Sequence, residues 1–160
     1  PDYFAAAVLN EIMGGDRFNS RLMDEIREKR GLTYGVGTGL AAYDHGELMS
    51  GHLATATDKA GEAIQVIRDQ WADVAQNGVT EAELEAAKTY MTGSYPLRFD
   101  GNGRIAGILV GMQILGLSPD YPATRNQKIE AVTLEDVKRV AARLLTPDKL
   151  HFVVVGDVKM

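Results

Sequence analysis

Arg27 and Tyr34 are the two side chains in this 160-residue chain whose chemistry and separation suit an oxygen that gains negative charge. A guanidinium offers a planar fork of donors and a phenol offers one directional donor, which together can grip a peptide carbonyl or carboxylate during acyl transfer. The same spacing also fits a plainer arrangement, in which Arg27 snorkels over a helix surface and Tyr34 is a half-buried strand aromatic. The other chemical candidates are weaker. Gly14-Gly15-Asp16 lacks both the preceding strand and the Lys-Ser/Thr ending that a phosphate loop needs. His45 and His52 do not have the i, i+4 spacing of a helical zinc site, and His151 stands far from both. Glu81, Glu83 and Glu85 fall in the first turn of a capped helix, where acidic side chains favour the helix dipole.

The elements that must position Arg27 and Tyr34 are a helix, a tight turn and a strand. Leu22, Met23 and Ile26 recur at helical spacing, and Gly31 follows as a left-handed C-cap would. Tyr34, Val36, Thr38 and Leu40 then alternate with glycines, which predicts a strand opened by Tyr34 with its larger side chains on one face. A turn at Tyr43-Asp44-His45-Gly46 links it to a second strand around Leu48 to Ala54, a pair expected at the centre of a sheet. Upstream, Phe4, Val8, Leu9 and Ile12 predict a core-facing helix over residues 2–13.

Downstream, a helix starts at Thr57-Asp58, buries Ala63, Ile67, Trp71 and Val74, and ends near Gly78. Thr80 and Glu83 form a capping box for a helix that turns Leu84, Ala87 and Met91 inward before Pro96. Gly103, Gly107 and Gly111 lie on one ridge of a further helix, which predicts tight packing against a neighbour. Residues 121–131 read as a short helix, and Thr133 with Asp136 caps another that is expected to bury Leu134, Val137, Val140 and Leu144. The apolar run Leu150 to Val155 reads as a strand covered on both faces. The tally predicts an α+β fold, a two-layer sandwich with helices on one face of a mostly antiparallel sheet.

At 45% hydrophobic residues, 160 residues suffice for one domain spanning 1–160. A net charge of −5 without a basic run disfavours nucleic acid as a partner. The apolar stretch 105–117 is broken by glycines and falls short of the roughly 20 residues of a membrane span. The absence of cysteine suits either cytosol or periplasm. Pro1 stands where neither an initiator Met nor a signal-like segment is found, so the chain is expected to be a piece of a longer one.

The segment SRLMDEIREKRGLTYGVGT resembles the second half of the pitrilysin/insulinase-type zinc metallopeptidases, the inverzincins, where an Arg and a Tyr seven positions apart complete the active site. GVTEAELEAAK at 78–88, EAVTLEDVKRVAARLLTPDKL at 130–150 and the terminal VVVGD extend the resemblance over nearly the whole chain. The resemblance implies that Arg27 and Tyr34 hold the substrate carbonyl region, and that Gly14 and Gly15 match a glycine-containing loop that handles substrate in processing-peptidase relatives. It implies a C-terminal domain lacking its first strand, with a bacterial and preferably periplasmic setting. It also implies that zinc is held elsewhere, by a partner domain or subunit carrying H-x-x-E-H plus a downstream Glu, because that motif is absent here. Zinc there activates water and the glutamate takes its proton. The implied function is the non-zinc half of a peptidase that encloses a peptide substrate, inactive when alone. A structural or assembly subunit and a stand-alone peptide-binding module are the alternatives.

Overall fold

The computed structural model describes residues 2–15, 17, 19–43 and 45–157. The first helix, α1, covers Tyr3–Gly14 and places Val8, Leu9, Ile12 and Met13 in the core. Their three- and four-residue spacing makes a single buried stripe, and α1 packs on α6 (Leu134–Leu144), α3 (Glu81–Ser94) and strand β1 (Val36–Tyr43). Strand β1 pairs antiparallel with β2 (Gly46–Leu53) in the register Val36↔Leu53, Leu40↔Met49. The inward face carries Val36, Met49 and Leu53, all packed with the core cluster. The architecture is α+β, with helices layered on an antiparallel hairpin sheet.

Helix α2 (Ala60–Asn77) follows a short 3-10 turn at Thr57–Lys59 and buries Ala63, Val66, Trp71 and Val74. Gly78, at φ +75°, takes the left-handed conformation that ends it. Both sequence-predicted capping boxes form. The Thr80 hydroxyl accepts from the Glu83 N–H at 3.2 Å, and the Glu83 carboxylate accepts from the Thr80 N–H at 2.8 Å. Thr133 and Asp136 repeat the arrangement at the start of α6. Helices α4 (Asn102–Ile114) and α5 (Tyr121–Glu130) complete the set.

Five expectations change. The helix over residues 19–30 is π-helical at Met23–Glu28, closed by the Lys29 N–H donating to the Asp24 carbonyl at 2.9 Å. Residue types common to α- and π-helices leave no mark of this widening in the sequence. Tyr34 stands in a bend before β1 and does not open the strand. The glycine ridge of α4 packs against nothing: a methyl group on Gly103, Gly107 or Gly111 would meet no described atom within 4 Å. In α6 it is Ala141 and the cap residue Leu145 that reach the core, while Leu144 is exposed. The run Leu150 to Val155 is not a strand, because a strand requires a ladder partner and none is described beside it. It keeps the alternation of an extended chain: Val153 and Val155 are each 93% exposed, while Phe152 lies under the Arg68 guanidinium at 4.8 Å.

Candidate functional site

The site is built around the exit of the π-helix. Leu22 and Ile26 are fully buried and anchor that helix to the core, which turns the intervening charged residues outward. Its end is closed by two nested backbone bonds, Gly31 N–H to Arg27 C=O and Leu32 N–H to Ile26 C=O, each 2.9 Å. Gly31 has φ +59°, a conformation most L residues resist, so the sharp reversal depends on glycine here. The basic residues of the exit are tied down locally. Glu25 takes Lys29 at 2.6 Å and the Arg30 guanidinium, and these hydrogen bonds, from Lys29 first, hold its carboxyl below the usual carboxylate range.

Arg27 lies on the last turn of the π-helix, about one-third exposed, with its guanidinium 3.1 Å from the Glu28 carboxylate. Beyond the Gly31 turn, Leu32 and Thr33 are buried and fixed by hydroxyls from two directions. The Thr33 hydroxyl lies 2.8 Å from the Gly35 carbonyl and 2.7 Å from that of Ala54, and accepts from the Gly35 N–H at 3.1 Å. The Thr55 hydroxyl donates to the Leu32 carbonyl at 2.6 Å. Tyr34 sits between these pinned residues with its side chain 97% exposed. Arg27 and Tyr34 therefore flank one turn, but a phenol so exposed is not packed on the guanidinium. The half-buried strand aromatic is excluded for Tyr34 by the same number.

Gly14 and Gly15 end α1 directly under β1. A Cβ on Gly14 would lie 2.7 Å from the Thr38 hydroxyl of β1, and one on Gly15 would lie 2.7 Å from the Glu11 Cα of α1 itself, so neither position has room for a side chain. Beside them the buried pair Glu11 and Arg17 meets at 3.2 Å, held by charge proximity without the angle of a directed hydrogen bond. No sequence signal distinguishes this pair from ordinary surface charges.

Arg21 was likewise silent in the sequence. Its guanidinium joins the start of the π-helix to α2 and α3, bonding Asp73 at 2.7 Å and Glu83 at 3.0 Å. Burial works against the Arg21 charge, and the two carboxylates overcome it and raise its pKa. Burial likewise pushes Glu83 up, but hydrogen bonds from Arg21 and Thr80 outweigh it and hold the carboxyl low. The platform that carries Arg27 is thus clamped to the helical layer.

Among the described residues no group of three or more His, Asp or Glu side chains is placed to hold a metal ion. His45 and His52 are both exposed. The described residues do not fit a zinc centre.

A sequence profile for the peptidase M16 inactive domain matches residues 1–91. The chain belongs to that family. An "uncharacterized zinc protease" of Mycobacterium tuberculosis is 33% identical over 144 residues, covering 89% of this chain and 32% of that protein. A Helicobacter pylori protein named a non-peptidase homolog is 25% identical over 158 residues, 99% of this chain and 36% of the relative. This M16 chain thus spans about a third of the length of these relatives. Among solved structures, the peptidase M16 inactive domain from Pseudomonas fluorescens superposes with a TM-score of 0.81 at 35% identity, over 93% of this chain and 35% of that one. The inactive peptidase domain of a putative zinc protease from Bordetella parapertussis shares the fold at a TM-score of 0.73, 18% identity, over 91% of this chain and 79% of that one.

Proposed function

We propose that this M16 inactive domain is the non-zinc half of a zinc metallopeptidase and supplies two donors to the peptide being cleaved. The observation that carries this reading is Tyr34: an almost fully exposed phenol mounted on backbone that Thr33 and Thr55 hold from both sides. No described residue packs on the ring, so its hydrogen-bonded mounting serves something outside the described residues. The phenol O–H donates to the carbonyl oxygen of the scissile peptide as that oxygen gains charge. Arg27, one turn away, gives its guanidinium to the same region in exchange for its contact with Glu28. The backbone at Gly15 is partly exposed and stands beside the Glu11 carboxylate. The zinc and its activated water belong to the partner half, a domain or subunit bearing H-x-x-E-H.

The test mixes this chain with a zinc-bearing partner and follows peptide cleavage in wild type, Tyr34→Phe and Arg27→Ala. Loss of one such donor costs on the order of 100-fold in turnover. Wild-type activity in both variants overturns the assigned roles. A second reading, a non-catalytic subunit of the same fold, draws on the Helicobacter pylori relative named a non-peptidase homolog. It is favoured if the wild-type mixture associates and cleaves nothing.

A further inference from the structure

Helix α4 is the part of this molecule least explained by its own fold. Its principal neighbour is the short 3-10 turn Pro96–Phe99, and among its residues only Met112 is buried. Ile114 is 79% exposed, Leu97 on the adjoining turn 72%, and Leu109, Val110 and Leu115 are exposed with them. At 100° per residue, Val110 and Ile114 fall on the same side of α4 as Gly103, Gly107 and Gly111, whose faces are open. The surface is therefore a shallow groove of bare backbone rimmed by branched apolar side chains. Such a surface lets a second helix approach closely, and a contiguous exposed apolar patch marks an interaction site.

The charges around it are one-sided. No acidic residue occurs between Gly101 and Pro119 in a chain whose net charge is −5. Arg98 and Arg104 line a concavity with Gly107 and Ile108, and Asp100 is occupied by Arg104 at 2.8 Å. A second copy of this chain would bring Arg98 and an Arg104 already paired with Asp100 to a symmetric contact, with no carboxylate from α4 to answer them, which gives self-association little charge complementarity. The relatives offer the other source of cover: two-thirds of their length lies outside the region this chain matches.

We propose that the α4 face is the docking surface for the zinc-bearing half, received as an apolar helix bordered by carboxylates. The proposal rests on the reading above only in requiring such a half, and it places the contact on α4, far along the chain from Arg27 and Tyr34. Because the substituted side chains are exposed, they are removed without disturbing the core.

The test measures association of this chain with a zinc-bearing half by analytical ultracentrifugation. Compared are wild type, Val110→Asp, Ile114→Asp, their double variant and Tyr34→Phe, with circular dichroism and thermal unfolding of each chain alone. We expect roughly tenfold weaker association for each single α4 variant and about a hundredfold for the double, the scale of interface anchors. Unfolding midpoints stay at the wild-type value, and Tyr34→Phe associates normally. Wild-type association in the double variant overturns the proposal, as does failure of the wild-type chain to associate. Dimerisation of this chain alone, abolished by the same variants, assigns the face to a second copy and overturns the stated occupant. Normal association with cleavage indifferent to Tyr34→Phe leaves the docking face standing and removes the catalytic reading.

Discussion

Replacing Thr33 by Val tests the mounting of Tyr34 with little change in shape. The Thr33 hydroxyl has a single proton for the Gly35 and Ala54 carbonyls, and it also accepts from the Gly35 N–H. The substitution therefore removes one donated and one accepted bond at a residue only 8% exposed. At about 1 kcal/mol net for each bond, the expected loss is about 2 kcal/mol. For a chain of this length roughly 3 °C accompanies each kcal/mol, which puts the drop in unfolding midpoint near 6 °C. Differential scanning fluorimetry or urea unfolding reads the stability, and amide hydrogen exchange reads Gly35 directly. Exchange at Gly35 should speed up well beyond the global change, because its N–H loses its acceptor while the chain remains folded. A midpoint within about 1 °C of wild type, with unchanged exchange at Gly35, would show that the hydroxyl does not hold this backbone.

Arg21→Ala should cost about 2 kcal/mol in urea unfolding, between the values for exposed and buried ion pairs. Asp73 is partly exposed, and Glu83 keeps its Thr80 contacts, so neither carboxylate is left stranded. Gly31→Ala should destabilise by about 1 kcal/mol through backbone conformation alone, since open space surrounds the site. Gly107→Ala, also in open space but inside α4, should stabilise by about 0.5–1 kcal/mol; destabilisation there would mean that the helix face is covered. Acid should weaken the fold in a defined window. The Thr133 hydroxyl and N–H pull Asp136 from 3.8 to about 2, and Glu83 is also held low, so their contributions are complete above the ordinary carboxylate range. They are lost as pH falls through the folded values, and a pH titration of the unfolding midpoint should decline below about 4.5, less steeply in Thr133→Ala between 3.8 and 2.

What the sequence revealed follows from which interactions are local. Helix boundaries were legible at Thr80, Thr133 and Gly78, because caps are written within four residues of one another. The hairpin was legible from its alternation and turn. The π-helix was not, since the extra residue per turn leaves composition and apolar spacing intact. The final apolar run was misread as a strand because hydrophobicity expresses a demand for burial without naming a neighbour. The α4 glycines were misread for the same reason: a ridge permits close approach and does not supply the partner. Within the candidate site, the type and spacing of Arg27 and Tyr34 were readable. The clasp around Tyr34 was not, because Thr33 meets Ala54 and Thr55 meets Leu32 across more than twenty positions of chain.

That clasp also bears on how strongly Tyr34 can bind anything. A ring on a mobile loop must lose backbone freedom when a ligand arrives, at about 1–2 kcal/mol for each residue that becomes ordered. Here the backbone on either side is hydrogen-bonded beforehand, and the two side-chain torsions of Tyr34 are the main freedom left to restrict, at about 0.5–1.5 kcal/mol. A single phenol on so stiff a stem loses little entropy on capture, so a contact made by one hydroxyl can still register in affinity.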